Sequence, residues 1–184
     1  MRRRHFVVSV AAATPLAAGC ARPVESGSDT ATKTPPKIQR QTPTSRLVPS
    51  LPVPEVKSIA ESGVESAPDS VDGFDSFAAA LDERGVDVVD GSEYETFVSL
   101  TQAVDSFADE GVARSLGVVA GTYATYVEAV DEPGPLSVTL EHEESTMGEY
   151  AVAVEWAEEY LADETTAKEY GEKVLGTVKT KTEK

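Results

Sequence analysis

Leu136-Ser137-Val138-Thr139-Leu140-Glu141 is followed, after a short acidic stretch, by Tyr150-Ala151-Val152-Ala153-Val154-Glu155-Trp156. In each run, large apolar residues alternate with small or polar ones. That period of two puts one face of a strand in a core and the other in water. Two such runs separated by residues 142–149 read as a hairpin. A sheet with one buried face needs a layer of helices to cover it.

Helical patterns flank this hairpin. Over residues 106–130 the residues Val112, Leu116, Val119, Tyr123, Val127 and Val130 recur at helical spacing. Ala113, Gly117 and Gly121 line the adjoining face. Gly costs about 1 kcal/mol relative to Ala inside a helix. The small-residue stripe is therefore expected to let the helix backbone lie close against the sheet, a better reading than a membrane dimerisation face, since acidic residues flank it.

Further out, Phe74, Phe77, Ala78 and Leu81 define a helix near 72–84, with Asp72 to cap it and Gly85 to end it. Val86-Asp87-Val88-Val89 reads as a strand, Asp90-Gly91 as a turn and residues 94–101 as a second strand. Beyond the second hairpin, short helices are expected near 156–162 and 166–178. Thr166 and Glu169 have capping-box spacing, and Tyr170, Val174 and Val178 form the buried stripe. The expected fold is α+β in the order α-ββ-α-ββ-α, with an antiparallel sheet of about four strands from two hairpins, after a disordered N-terminal region.

The N-terminal region has two parts. Arg2, Arg3 and Arg4 precede an apolar run from Phe6 to Ala13. That run is too short to span a bilayer, which takes about 20 residues, and has the length of a signal-peptide core. Arg3-Arg4-His5-Phe6-Val7 fits a twin-arginine export signal, and Leu16-Ala17-Ala18-Gly19-Cys20 fits a lipobox. The alternative is an ordinary cleaved signal that contains a cysteine. Cys20 is the one cysteine of the chain and stands where a lipid would be attached, which favours the anchor. It also rules out an intrachain disulfide and a thiolate zinc site.

Residues 20–56 are rich in Pro, Thr and Ser, as in Thr34-Pro35-Pro36 and Pro52-Val53-Pro54. They read as a tether, which as a flexible coil would span roughly 35 Å. The expected division is a signal at 1–19, the tether at 20–56 and an acidic domain at 57–184.

Charge narrows the partners. The chain carries −16 at pH 7, and residues 58–184 hold 29 Asp and Glu against 7 Lys and Arg. Such a coat repels itself in ordinary buffer, whereas at molar salt the screening length falls to about 3 Å. The composition suits a halophile. It argues against nucleic acid and anionic membrane surfaces as partners.

The signal, the lipobox, the acid-rich domain, the segment Leu116-Gly117-Val118-Val119-Ala120-Gly121-Thr122-Tyr123 and Trp156-Ala157-Glu158-Glu159-Tyr160-Leu161 together resemble haloarchaeal Tat-exported lipoproteins with uncharacterised domains. The domain resemblance covers about 70–178. It implies a location on the outer face of the cell membrane and transfers no functional residue.

Chemistry-bearing candidates are few. His142 is the one histidine outside the signal, and on an extended strand it would share a side with Glu144, offering imidazole and carboxylate to a metal. A charged strand end is the simpler reading. Asp69, Asp72 and Asp75 around Gly73 suggest calcium, but an acidic helix start accounts for them without EF-hand spacing. Tyr123, Tyr126, Tyr150, Trp156, Tyr160 and Tyr170 would either line a groove or fill the core. No Gly-x-Ser-x-Gly elbow or phosphate-cradling loop is present, and no cofactor is implied. The expected role is a non-enzymatic, membrane-anchored surface module that binds a protein or small ligand; the alternative is a carboxylate-dependent surface hydrolase.

Overall fold

The computed structural model describes residues 40–105 and 110–180. The fold is α+β. A mixed sheet is covered on one face by helices, with β1 (Arg40–Gln41), β2 (Val88–Glu93), β3 (Val98–Ala103), β4 (Leu136–His142), β5 (Ser145–Val152) and β6 (Lys179–Thr180) in the spatial order β1-β6-β5-β4-β3-β2. The helices are α1 (Val53–Glu65), α2 (Phe74–Glu83), α3 (Glu110–Ala129), α4 (Val154–Leu161) and α5 (Ala167–Leu175).

The two expected hairpins form, β2 with β3 and β4 with β5, but the sheet is not the simple antiparallel one expected. β3 and β4 pair in parallel, Val98 opposite Leu136 and Gln102 opposite Leu140. The cause is α3. A helix of this length returns the chain to the end of the sheet where β3 began, so the next strand must run the same way. Two-residue strands β1 and β6 extend the β5 edge.

The first turn differs in place from its expected position. Asp90-Gly91 lies within β2, and the chain reverses at Glu95-Thr96, where the Tyr94 N–H donates to the Phe97 carbonyl. Gly91 serves packing instead. A Cβ there would stand 2.8 Å from Cζ of Phe74. In the second hairpin His142 pairs with Ser145, and the turn is Glu143-Glu144, both with positive φ (48° and 62°). β5 therefore begins at Ser145, and Trp156 sits in α4 rather than at a strand end.

The N-terminal boundary also moves. Residues 40–56, read as the end of a tether, hold β1, a 3-10 turn (Thr44–Arg46) and the start of α1, and Leu47 and Val48 are buried. Pro52 and Pro54 begin a helix, since the missing N–H costs nothing in the first turn. Val56, Ala60, Gly63 and Val64 then form its buried stripe. This helix takes the small-residue face of α3. A Cβ on Gly117 would stand 2.1 Å from the Ala60 carbonyl oxygen, and one on Gly121 would stand 2.3 Å from that of Val64. The stripe expected to meet the sheet meets α1.

α3 is consequently buried nearly all round from Val112 to Val127. The inner sheet face supplies Val98, Leu100, Leu136, Val138, Leu140, Tyr150 and Val152 to the same core. α5 closes the far side. Its capping box between Thr166 and Glu169 forms as expected, and Tyr170 donates from its hydroxyl to the Ala120 carbonyl at 2.9 Å. Gly85 ends α2 with φ 78°, as expected, while Gly73 rather than Asp72 occupies the cap position.

Candidate functional site

Strand alternation places the residues between the core positions on the opposite side of the sheet. The cross-strand partners make two rows there. Ser92, Ser99, Ser137 and Ala151 lie side by side, as do Asp90, Thr101, Thr139, Glu149, Lys179 and Gln41. All of these are exposed or half-buried, and no described helix covers them. Half of these side chains are short hydroxyls, spaced about 4.8 Å apart across the strands. Lys179 meets Glu149 at 3.3 Å, and a shallow groove beside this pair is lined by Gln41, Ser137, Ala151 and Thr177.

One end of this face is aromatic. Glu93 pairs with Val98 and turns to the helix side, where its Oε1 accepts from the Tyr126 hydroxyl at 2.5 Å. The next residues outward, Tyr94 and Phe97, therefore point to the open side. Their rings stack with centroids 4.5 Å apart and planes 18° apart. Tyr94 is 52% exposed and Phe97 39%, among the few large hydrophobic residues on the surface. The loop carrying Asp131 and Glu132 runs against this tip, since a Cβ on Gly134 would lie 2.6 Å from the Phe97 nitrogen. The signal for the pair was present in the sequence. Phe97, Ser99 and Thr101 alternate with buried Val98 and Leu100, but misplacing the turn at Asp90-Gly91 hid the partnership with Tyr94.

The earlier candidates fall elsewhere. Arg3, Arg4 and Cys20 lie outside the described residues. His142 is half-buried, with Nδ1 2.8 Å from the Val104 carbonyl, and Glu144 is in the turn rather than on the strand, so the two do not share a strand face. Among the described residues, no three His, Cys, Asp or Glu side chains are grouped to hold a metal ion. Asp72 and Asp75 flank the start of α2, where the Asp72 N–H donates to Ser76 Oγ.

Four of the six candidate aromatics, Tyr123, Tyr126, Tyr150 and Tyr170, are core, and Trp156 and Tyr160 pack against it half-buried. Burial raises the pKa of each of the four buried hydroxyls well above the usual phenol value. For Tyr126 the hydrogen bond and negative charge of Glu93 add to the rise. These groups stay protonated and act as donors. Tyr123 donates to the Gly134 carbonyl at 2.6 Å, tying α3 to the loop under the aromatic tip.

A second feature lies at the end of β3. Gln102 is buried, donates from Nε2 to Ser115 Oγ at 2.7 Å, and has its Oε1 3.4 Å from the Tyr150 hydroxyl. This network joins β3, β5 and α3 and is satisfied internally, which marks it as a structural link. No described helix is long and apolar enough to cross a membrane.

No curated protein and no solved structure matches the chain. A family described as "Domain of unknown function (DUF8159)" matches residues 68–184, from the loop before α2 to the C-terminus. That span takes in both strands of the open hairpin tip and the hydroxyl rows, and the chain belongs to this family of uncharacterised domains.

Proposed function

We propose that this chain is an exported, lipid-anchored binding module on the outer surface of a halophile, engaging its partner through the open face of the sheet. The export and anchoring part rests on Arg3-Arg4 and on Cys20 within its lipobox. The halophile part rests on the acidic coat. The binding part rests on one observation: every described helix packs on one side of the sheet, leaving the other with exposed or half-buried residues, half of them short hydroxyls, and an exposed aromatic pair at one end.

The hydrolase alternative draws no comparable support. The described carboxylates with side-chain contacts are engaged in the fold: Asp82 with the Val88 N–H, Glu93 with Tyr126, Glu149 with Lys179, Glu159 with Lys173, Glu172 with Lys57 and Glu169 with Thr166.

Thiol labelling tests the binding part. If Cys20 carries lipid, a cysteine placed at exposed Ser137 is the only free thiol. In intact cells of the native host Ser137→Cys is expected to react slowly with a maleimide, and to react fully after detergent extraction and purification. Glu164→Cys, between α4 and α5, is expected to react under both conditions. Equal labelling of the two positions on intact cells removes the claim that the sheet face is occupied. Cys20→Ser tests the anchor: the protein is expected in the medium or as an unprocessed precursor, and unchanged membrane retention removes it.

A further inference from the structure

The side chains on the open face narrow the class of ligand, granted that the face is the binding surface. An apolar partner helix needs a continuous hydrophobic stripe, and the described rows do not form one: their centre is Ser92, Ser99 and Ser137, then Thr101 and Thr139. A partner held by charge needs a matching array. In the second row Asp90 stands at one end, while Glu149 lies inside the row, already paired with Lys179, with Gln41 beyond. Between Asp90 and Glu149 lie uncharged hydroxyls, each a donor and an acceptor at once. Strand geometry sets them in a grid of about 4.8 Å across the strands and about 6.8 Å along each one.

The aromatic pair supplies the other half of the recognition. Phe97 stacks on one face of Tyr94, and the Tyr94 residue is 52% exposed. An aromatic face packs well on a flat, weakly polar C–H surface, and the phenol adds a hydrogen-bonding end. The tip is rigid. Below it, the Glu93–Tyr126 and Tyr123–Gly134 hydrogen bonds pin the hairpin and its neighbouring loop to α3. The tip is also presented outward. The chain enters the sheet at β1 on one edge, and β2 is the other edge, five strand spacings or about 24 Å away.

We propose that this face binds an uncharged, polyhydroxylated chain, a glycan, with one sugar ring stacked on Tyr94 and following rings hydrogen-bonded to Ser99, Ser137 and Thr101. A sugar ring has both required surfaces, an apolar C–H face and a rim of hydroxyls. Such binding does not depend on long-range charge attraction, which molar salt would screen away.

The test is a titration of the purified full chain at molar KCl, followed by NMR. The probes are neutral hexasaccharides of glucose, mannose and N-acetylglucosamine, with hexalysine in parallel. At least one hexasaccharide is expected to shift the Tyr94 and Phe97 ring signals and the amides of Ser99, Thr101 and Ser137. Tyr94→Ala is expected to weaken binding by about tenfold or more, and Tyr94→Phe, which keeps the ring, by less than about threefold. The assignment is overturned if no hexasaccharide shifts these signals, if hexalysine shifts them and the sugars do not, or if Tyr94→Ala binds as the parent does. The two claims separate cleanly. Protection of Ser137→Cys on cells without sugar binding retires the glycan and keeps the interaction face; loss of protection retires the face itself.

Discussion

Gly117 of α3 and Ala60 of α1 meet backbone to backbone, leaving no room for a methyl group between the Gly117 Cα and the Ala60 carbonyl. The fold tolerates the low helix propensity of glycine because the close approach buries both helices. Gly117→Ala would gain about 1 kcal/mol of propensity on an isolated helix. Here the added Cβ meets a carbonyl oxygen rather than a flexible side-chain end, and relief requires the helices to separate. Overpacking of this kind costs about 1–3 kcal/mol. Because the clash is with backbone at 2.1 Å, the upper end of that range applies, and after the propensity gain a net destabilisation of up to about 2 kcal/mol is expected, read as a lower urea midpoint at molar KCl. A midpoint equal to or above that of the parent would mean that α1 does not sit where described.

The same contact sets the limits of the stable unit. The family match begins at residue 68, after α1 has ended at Glu65. Removing residues 40–66 takes away Leu47, Val48, Val56, Ala60 and Val64, all buried, and uncovers the glycine face of α3. A chain limited to 68–184 is expected to lack cooperative unfolding and to bind hydrophobic dye, whereas 40–184 is expected to unfold in one transition. A sharp calorimetric transition for 68–184 would contradict this.

The α1–α3 contact shows where the sequence was readable. The alternation in Leu136 to Glu141 and the helical stripes of α2, α3 and α5 lie in long periodic segments, and the structure keeps them. α1 was hidden by Pro52 and Pro54, which signal a tether by composition and a helix start by position. Missing α1 left the Gly117–Gly121 face without its real neighbour. The parallel pairing of β3 and β4 is a consequence of the α3 crossover, which strand periodicity does not report. The open face was legible as polar positions; its aromatic end was not, because Asp90-Gly91 looks like a turn and is instead a strand pair making room for Phe74.

The Glu143-Glu144 turn stores strain that the hairpin does not require. Two-residue loops with both φ values positive favour Asn-Gly, and a side chain in the left-handed region costs about 1 kcal/mol. Two adjacent carboxylates add repulsion at low salt. Glu143→Asn with Glu144→Gly is therefore expected to raise stability by about 1 kcal/mol, seen as a higher thermal midpoint with an unchanged β4–β5 register. A lower midpoint would point to a contact made by one of these glutamates.

Alkaline pH is expected to weaken the fold from about pH 10 upward. Tyr123, Tyr126, Tyr150 and Tyr170 have raised pKa values because burial disfavours the phenolate. In the unfolded chain the same groups ionise near the usual value of about 10. The sign follows directly. Above that pH the unfolded state releases protons that the folded state retains, so stability is complete below pH 10 and falls as pH rises beyond it. Phenolate absorbance during a pH titration checks this. These four of the six tyrosines are expected to ionise together with the loss of native circular dichroism, and their early, reversible ionisation in a still-folded protein would refute the buried cluster.

Salt is expected to act in the opposite direction to its usual effect on surface ion pairs. Adding salt ordinarily weakens such pairs, and three are described here: Lys57–Glu172, Lys173–Glu159 and Lys179–Glu149. Each is at least partly exposed, so each contributes less than about 1 kcal/mol. Against them stand the 29 acidic residues of positions 58–184, with 7 basic ones to balance them. Repulsion among the unbalanced carboxylates grows as the screening length rises from about 3 Å at 1 M salt to about 10 Å at 0.1 M. That repulsion should outweigh three weak pairs, and the urea midpoint should rise steadily with KCl. Replacing Glu95, Asp131 and Glu132 together with Gln, Asn and Gln should flatten the dependence, because they lie in the two loops that meet where Gly134 abuts Thr96 and Phe97, without a described cation partner. A midpoint independent of KCl between 0.1 M and 3 M, roughly the range over which screening changes most, would show that the acidic coat is not what limits stability.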